Sequence, residues 1–163
     1  MANEMRVFAQ TAQGKAVIEK QAKKTEMIID PEASYQDHFV AVRPQCLVVK
    51  KYFIPSELPF DVPWDKIQSL TYMPQNQDNQ ENKVPGKGLD FEERWWAQDV
   101  LRPHERELHL YNVRIDVADM KPEKSGFTVI YIDQFLKACR HLLPYSCKLS
   151  GCMWSEKPDT SLL

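Results

Sequence analysis

Apolar residues at three- and four-residue spacing open this chain. Met5, Phe8, Ala12 and Ala16, continued by Ile18 and Ala22, predict a helix-prone arm over residues 1–24. Gly14 weakens that helix by about 1 kcal/mol relative to alanine. From Thr25 the period shortens to that of strands. Glu26–Ile29 is a short apolar run closed by Asp30-Pro31, and His38–Arg43 and Cys46–Phe53 are richer runs that stop at Pro44 and Pro55. Proline cannot donate to a ladder, so each of these stops reads as a strand end. Alternation within Cys46–Phe53 predicts one face of Leu47, Val49, Lys51 and Phe53 and another of Cys46, Val48, Lys50 and Tyr52. Pro59 and Pro63 flank Phe60 and Val62, an edge strand or extended turn that leads into a strand over Gln68–Met73.

Past Pro74 the pattern collapses. Gln75–Lys83 holds no apolar residue, which predicts a long mobile loop over Pro74–Gly88 that protease cuts first and deletion leaves harmless. Strand patterns resume at Arg94–Leu101, Glu107–Val117 and Gly126–Ile132. Asp133 then caps a helix running to Leu143, with Phe135, Leu136, Cys139, Leu142 and Leu143 on one stripe and Pro144 as its stop. Residues 144–163 read as a flexible tail. The predicted class is mostly β (β+α), with residues 25–143 as one domain.

Length and charge narrow the function. A chain of 163 residues with 43% hydrophobic residues buries enough surface for one core without disulfides or metal. The net charge of -2 argues against non-specific nucleic-acid binding, which calls for a strong basic excess. The first residues carry no apolar core of about 7–15 residues, so no secretory leader is expected; no apolar run nears membrane-span length, and Cys46, Cys139, Cys147 and Cys152 are too spread for a disulfide framework. A cytoplasmic protein with reduced thiols is expected. The arm is basic, with Arg6, Lys15, Lys20, Lys23 and Lys24 against Glu4 and Glu19. Lys15, Lys20, Lys23 and Lys24 are therefore candidates for contact with anionic lipid, against the plainer reading of a solvated leader.

Catalytic chemistry is hard to assemble. No nucleophile elbow, phosphate loop or dinucleotide fingerprint occurs, and no histidine pair has metal-ligand spacing, so neither cofactor nor metal is expected. His104, Glu105 and His109 are the one cluster that could serve a small-ligand or hydrolytic barrel, provided they converge in a deep cavity. Surface features are more suggestive. Of the neighbours Trp95 and Trp96, only one can face the core, and the other is either half-buried under the long loop or available as a partner-binding anchor, with Lys50 or Lys51 supplying charge.

The strand Leu47-Val48-Val49-Lys50-Lys51-Tyr52-Phe53, the turn at Pro55 and the segment Val62-Pro63-Trp64-Asp65-Lys66-Ile67 resemble the pleckstrin-homology-like (PH-like) superfamily, its bacterial-type domains in particular. Phe127-Thr128-Val129 followed by Asp133-Gln134-Phe135-Leu136 is similar to that family's last strand and closing helix. The resemblance implies a bent antiparallel barrel of about seven strands closed by a C-terminal helix, and a binding scaffold in place of an enzyme. Phosphoinositide-binding members carry basic residues between their first two strands. Pro31–Asp37 has none, so a protein partner is the expectation.

Overall fold

The structure is a computed structural model, and it describes residues Met27–Met153. The arm over 1–24, with Lys15, Lys20, Lys23 and Lys24, lies outside the described residues, as does the tail beyond Met153. A first antiparallel sheet is a simple meander of β1 (Tyr35–Gln36), β2 (Val40–Val42), β3 (Cys46–Val49) and β4 (Phe60–Pro63), paired in that order. β5 (Ile67–Pro74) begins the second sheet and runs into helix α1 (Gln75–Glu81). The short strands β6 (Gly88–Leu89) and β7 (Trp95–Trp96) follow, then the long hairpin of β8 (Tyr111–Val117) and β9 (Lys124–Val129), helix α2 (Ile132–Cys139) and β10 (Lys148–Gly151). Spatially the second sheet runs β10-β5-β8-β9-β7-β6, with β10 parallel to β5 and β7 parallel to β9.

The described residues are mostly β, with ten strands over two sheets. Among the described residues no ladder closes the sheets into the barrel that the resemblance implies. Side chains close the seam instead. The N–H groups of Ile130 and Tyr131 donate to Asp37 Oδ2 (3.0 Å) and Tyr35 Oη (3.1 Å), and Tyr52 and Ser125 share a hydroxyl–hydroxyl bond of 2.6 Å. α2 packs on β1 and β2, and Phe135 meets Tyr35 and Phe127 edge-on at 5.7 and 6.2 Å. Ile132, Leu136 and Cys139 are buried on the same stripe, as their spacing predicts. The helix ends at Cys139, short of Leu143, and Asp133 sits inside its first turn while Tyr131 occupies the cap.

The β8–β9 hairpin is covered on both faces, and the two covers differ. Val113, Ile115, Phe127 and Val129 belong to the main apolar core. Asn112 pairs with Thr128, and Arg114 with Gly126, in register on the alternate positions. That second face is covered by polar and aromatic groups. It explains the largest departure from the sequence pattern. The predicted loop over Pro74–Gly88 contains α1, whose Gln75 and Asp78 are buried. The Gln75 amide nitrogen and the Asp78 carboxylate are met by hydrogen bonds, and Asp78 by an ion pair with Arg114, which hydrophobic periodicity does not register.

Three further corrections are local. The predicted strand Cys46–Phe53 ends at Val49, because Lys51 adopts a left-handed backbone with φ 49°. The face alternation breaks there, leaving Tyr52 fully buried and Lys51 exposed. Of Arg94–Leu101 only Trp95–Trp96 pairs as strand. Within residues 144–163, Lys148–Gly151 is a strand aligned with Ser69–Tyr72 of β5.

Candidate functional site

Two side-chain assemblies stand out, and only one of them faces solvent. The buried one is built on α1 and the polar face of the hairpin. Asp78, fully buried, accepts from Asn112 Nδ2 (2.7 Å), from Asn82 Nδ2 (2.9 Å), and from both terminal nitrogens of Arg114 (2.8 and 2.9 Å). Asp99 pairs with Arg106 and accepts the Thr128 hydroxyl at 2.6 Å. Thr128 in turn accepts from Gln75 Nε2 (2.9 Å) and Arg102 Nε (3.2 Å). Arg102, itself fully buried, also donates to the carbonyls of Pro85 (3.0 Å) and Ala97 (2.8 Å). The guanidiniums of Arg102 and Arg114 each lie over the Trp96 ring, 4.9 Å from its centroid. Burial pushes Arg102 down to about 10 against the opposing pull of Asp99, so it stays charged at neutral pH.

These charges are spent on one another. Each carboxylate is met by guanidinium donors, so the assembly is a buried clasp and offers no spare acid, base or nucleophile. It has a pH consequence. Burial raises the Asp99 carboxyl, but the charges of Arg106 and Arg102, with the hydrogen bonds of Thr128 and Arg106, outweigh it and leave the group below the ordinary carboxylate range. A carboxyl depressed in the folded state contributes stability that is complete above its unfolded value of about 3.9 and is lost as pH falls through the folded value. Acid unfolding of Asp99→Asn is therefore expected to be shallower than that of the parent below about pH 4. Parallel acid titrations of the two proteins followed by circular dichroism check this, and superimposable curves would show that Asp99 contributes nothing to it.

The solvent-facing assembly is aromatic. Tyr52 forms edge contacts with Phe60 at 4.6 Å and Phe53 at 4.9 Å, and Phe53 stacks on Phe60 at 5.9 Å. Trp95 lies 6.3 Å from Tyr52 and donates its indole N–H to the Tyr52 carbonyl at 2.7 Å. Phe53 is exposed, as are Ile54 and Leu58 in the turn that follows it, where the Leu58 carbonyl accepts the N–H groups of Tyr52 (3.2 Å) and Phe53 (3.1 Å). The lip is thus an apolar surface on a rigid base, with Lys51 at its edge.

The predicted site residues divide sharply. Trp96 is fully buried and donates to Asp90 Oδ2 at 2.9 Å, so it is no surface anchor. Trp95 is half-buried and supports the lip. Lys50 is half-buried and donates its ammonium to the Asp37 carbonyl at 2.8 Å, while Lys51 is exposed. Phe53, Ile54 and Leu58 were not singled out by periodicity, although an aromatic run extending past a broken strand into Pro55 is their signal. His104, Glu105 and His109 are all exposed along the 101–110 loop. They do not line the open groove of about 500 Å³ beside α1, which is formed by Asn79, Val84, Leu89, Asp90, Phe91 and Pro103 among others. Among the described residues no group of three or more His, Cys, Asp or Glu is placed to hold a metal, and no helix is long and apolar enough to cross a membrane. No protein-family model, curated protein or solved structure matches the chain.

Proposed function

We propose that this chain is a non-catalytic binding and scaffold module of PH-like type. Its protein partner docks on the lip of Phe53, Ile54 and Leu58, supported by Trp95 and flanked by Lys51. The observation that carries the reading is an exposed Phe53 seated on the Tyr52 and Phe60 rings, with exposed Ile54 and Leu58 in the adjoining turn, the kind of apolar grouping from which interface anchors are built. The chain order also agrees: a four-strand meander, the β5-β8-β9 meander and a helix packed across β1 and β2. The partner's matching feature is an apolar side chain with a carboxylate beside it to meet Lys51. The basic arm of residues 1–24 would add weak contact with anionic lipid, on its sequence alone.

The test compares the parent with Phe53→Ala/Leu58→Ala. Partners captured by each are quantified, and the leading one is purified and titrated. The double variant is expected to bind at least thirtyfold more weakly, about 2 kcal/mol, with its melting temperature unchanged. Lys51→Ala should lose less, and only at low salt, as a rim charge does. Equal affinity of parent and double variant would remove the lip from consideration.

A further inference from the structure

We propose a second recognition surface, where β10 and the end of α2 take an extended acidic peptide as an added strand. β10 is the terminal strand of its sheet, with β5 on one side and no other described strand beyond it. All four of its residues are exposed. The Cys152 N–H donates to the Tyr72 carbonyl at 3.1 Å, continuing the pairing with β5. Backbone groups alternate in direction along a strand, so Lys148 and Ser150 point toward β5 with Cys152. The N–H and C=O groups of Leu149 and Gly151 then point to the open edge. An edge of this kind is a template for a further strand.

What lies beside the edge selects the chemistry. An open groove of about 440 Å³ is walled by Arg140, His141, Leu143, Tyr145 and Leu149 among others, and among the described residues no carboxylate lines it. Tyr145 stands completely in solvent, and Leu149 is exposed as well. From Gln134 to Ser155 the sequence contains no Asp or Glu but carries Lys137, Arg140 and Lys148, in a chain whose net charge is -2. None of these three cations is in an ion pair among the described residues. The local field is therefore positive against an acidic whole, and the fitting partner is negative. Concavity and an open backbone edge favour a peptide over a flat lipid surface. The segment would run along β10, place an apolar residue between Tyr145 and Leu149, and set carboxylates against Arg140 and Lys148. This surface is distinct from the lip at Phe53.

Fluorescence anisotropy with a labelled peptide of four Glu-Val repeats tests the proposal, with four Lys-Val repeats and anionic phosphatidylserine vesicles as the other probes. The acidic peptide is expected to bind, and the basic peptide to bind at least tenfold more weakly. Arg140→Glu/Lys148→Glu should weaken the acidic peptide at least tenfold. Leu149→Pro removes one outward N–H while leaving the pairing with β5, and should weaken it comparably. Where Leu149→Pro fails to fold, the charge-reversal variant decides alone. Phe53→Ala/Leu58→Ala should bind the acidic peptide as the parent does, so failure here and failure of the lip proposal are separable. Equal binding of the two peptides, insensitivity to the charge reversal, or binding to the vesicles but not to the acidic peptide would overturn the proposal.

Discussion

Replacing Asp78 with alanine is expected to cost about 3–5 kcal/mol of stability, the usual penalty for removing one partner of a buried ion pair. The carboxylate is fully buried and holds four donors, two of them from Arg114, whose side chain is only 18% exposed. Without Asp78 the Arg114 guanidinium and the Asn112 amide keep the cost of leaving water and lose the compensation for it. The same loss detaches α1 from the hairpin, since Asp78 is its central contact with β8. Deleting residues 75–83, harmless for a solvated loop, is on this structure expected to unfold the chain. Urea unfolding of Asp78→Ala followed by circular dichroism measures the effect. Arg114→Ala in the same background should then add little, because the pair is already broken. A loss under about 1 kcal/mol for Asp78→Ala would show that α1 is a surface turn that the fold does without.

How far this was legible differs between the two faces of the hairpin. The apolar face followed from alternation, because Val113 and Ile115 bury hydrocarbon and hydrocarbon is what periodicity detects. The ends of β2 and β4 were marked by proline, and the stripe of α2 by its spacing, within a few residues. α1 was hidden because its inward side is polar. Gln75, Asp78, Asn79 and Asn82 recur at i, i+3, i+4 and i+7, the face spacing of an amphipathic helix written in amides and a carboxylate. All four make side-chain hydrogen bonds to residues of α1 or beyond it. Their partners Arg102, Asn112, Arg114 and Thr128 are 23 to 53 residues further along, and no local pattern announces such pairs.

The lip was half legible for a related reason. Strand alternation puts Trp95 and Trp96 on opposite faces, yet what each face meets depends on long-range chemistry. Trp96 lies beside Gly126 on the parallel neighbour β9 and under two guanidiniums, and so belongs to the clasp. Trp95 pairs with Ser125 and turns to Tyr52. Lys51 reached the surface because its left-handed backbone ended the strand, a conformation with no residue-type signal in a lysine.

The pairing of Trp96 with Gly126 leads to the second large effect. A Cβ added at Gly126 would stand 2.5 Å from Trp96 Cδ2 and 2.6 Å from Cζ3, well inside van der Waals contact. The ring has little room to yield, with its N–H held by Asp90 and Arg102 and Arg114 over its face. Relief would have to come from the β7–β9 pairing itself. Gly126→Ala is accordingly expected to destabilise the fold by about 3 kcal/mol, the upper end of overpacking costs. Trp96→Ala should cost about 3–5 kcal/mol for the opposite reason, a cavity under the buried Arg102 and the half-buried Arg114. The two losses share one cause, so they should not add. With the ring gone the alanine methyl fills part of the vacated space, and Gly126→Ala in the Trp96→Ala background should cost less than it does alone, by at least about 1 kcal/mol. A urea-unfolding double-mutant cycle reads this coupling directly. Strict additivity would mean that the clash relaxes without involving the ring, and that the clasp is softer than its hydrogen bonds imply.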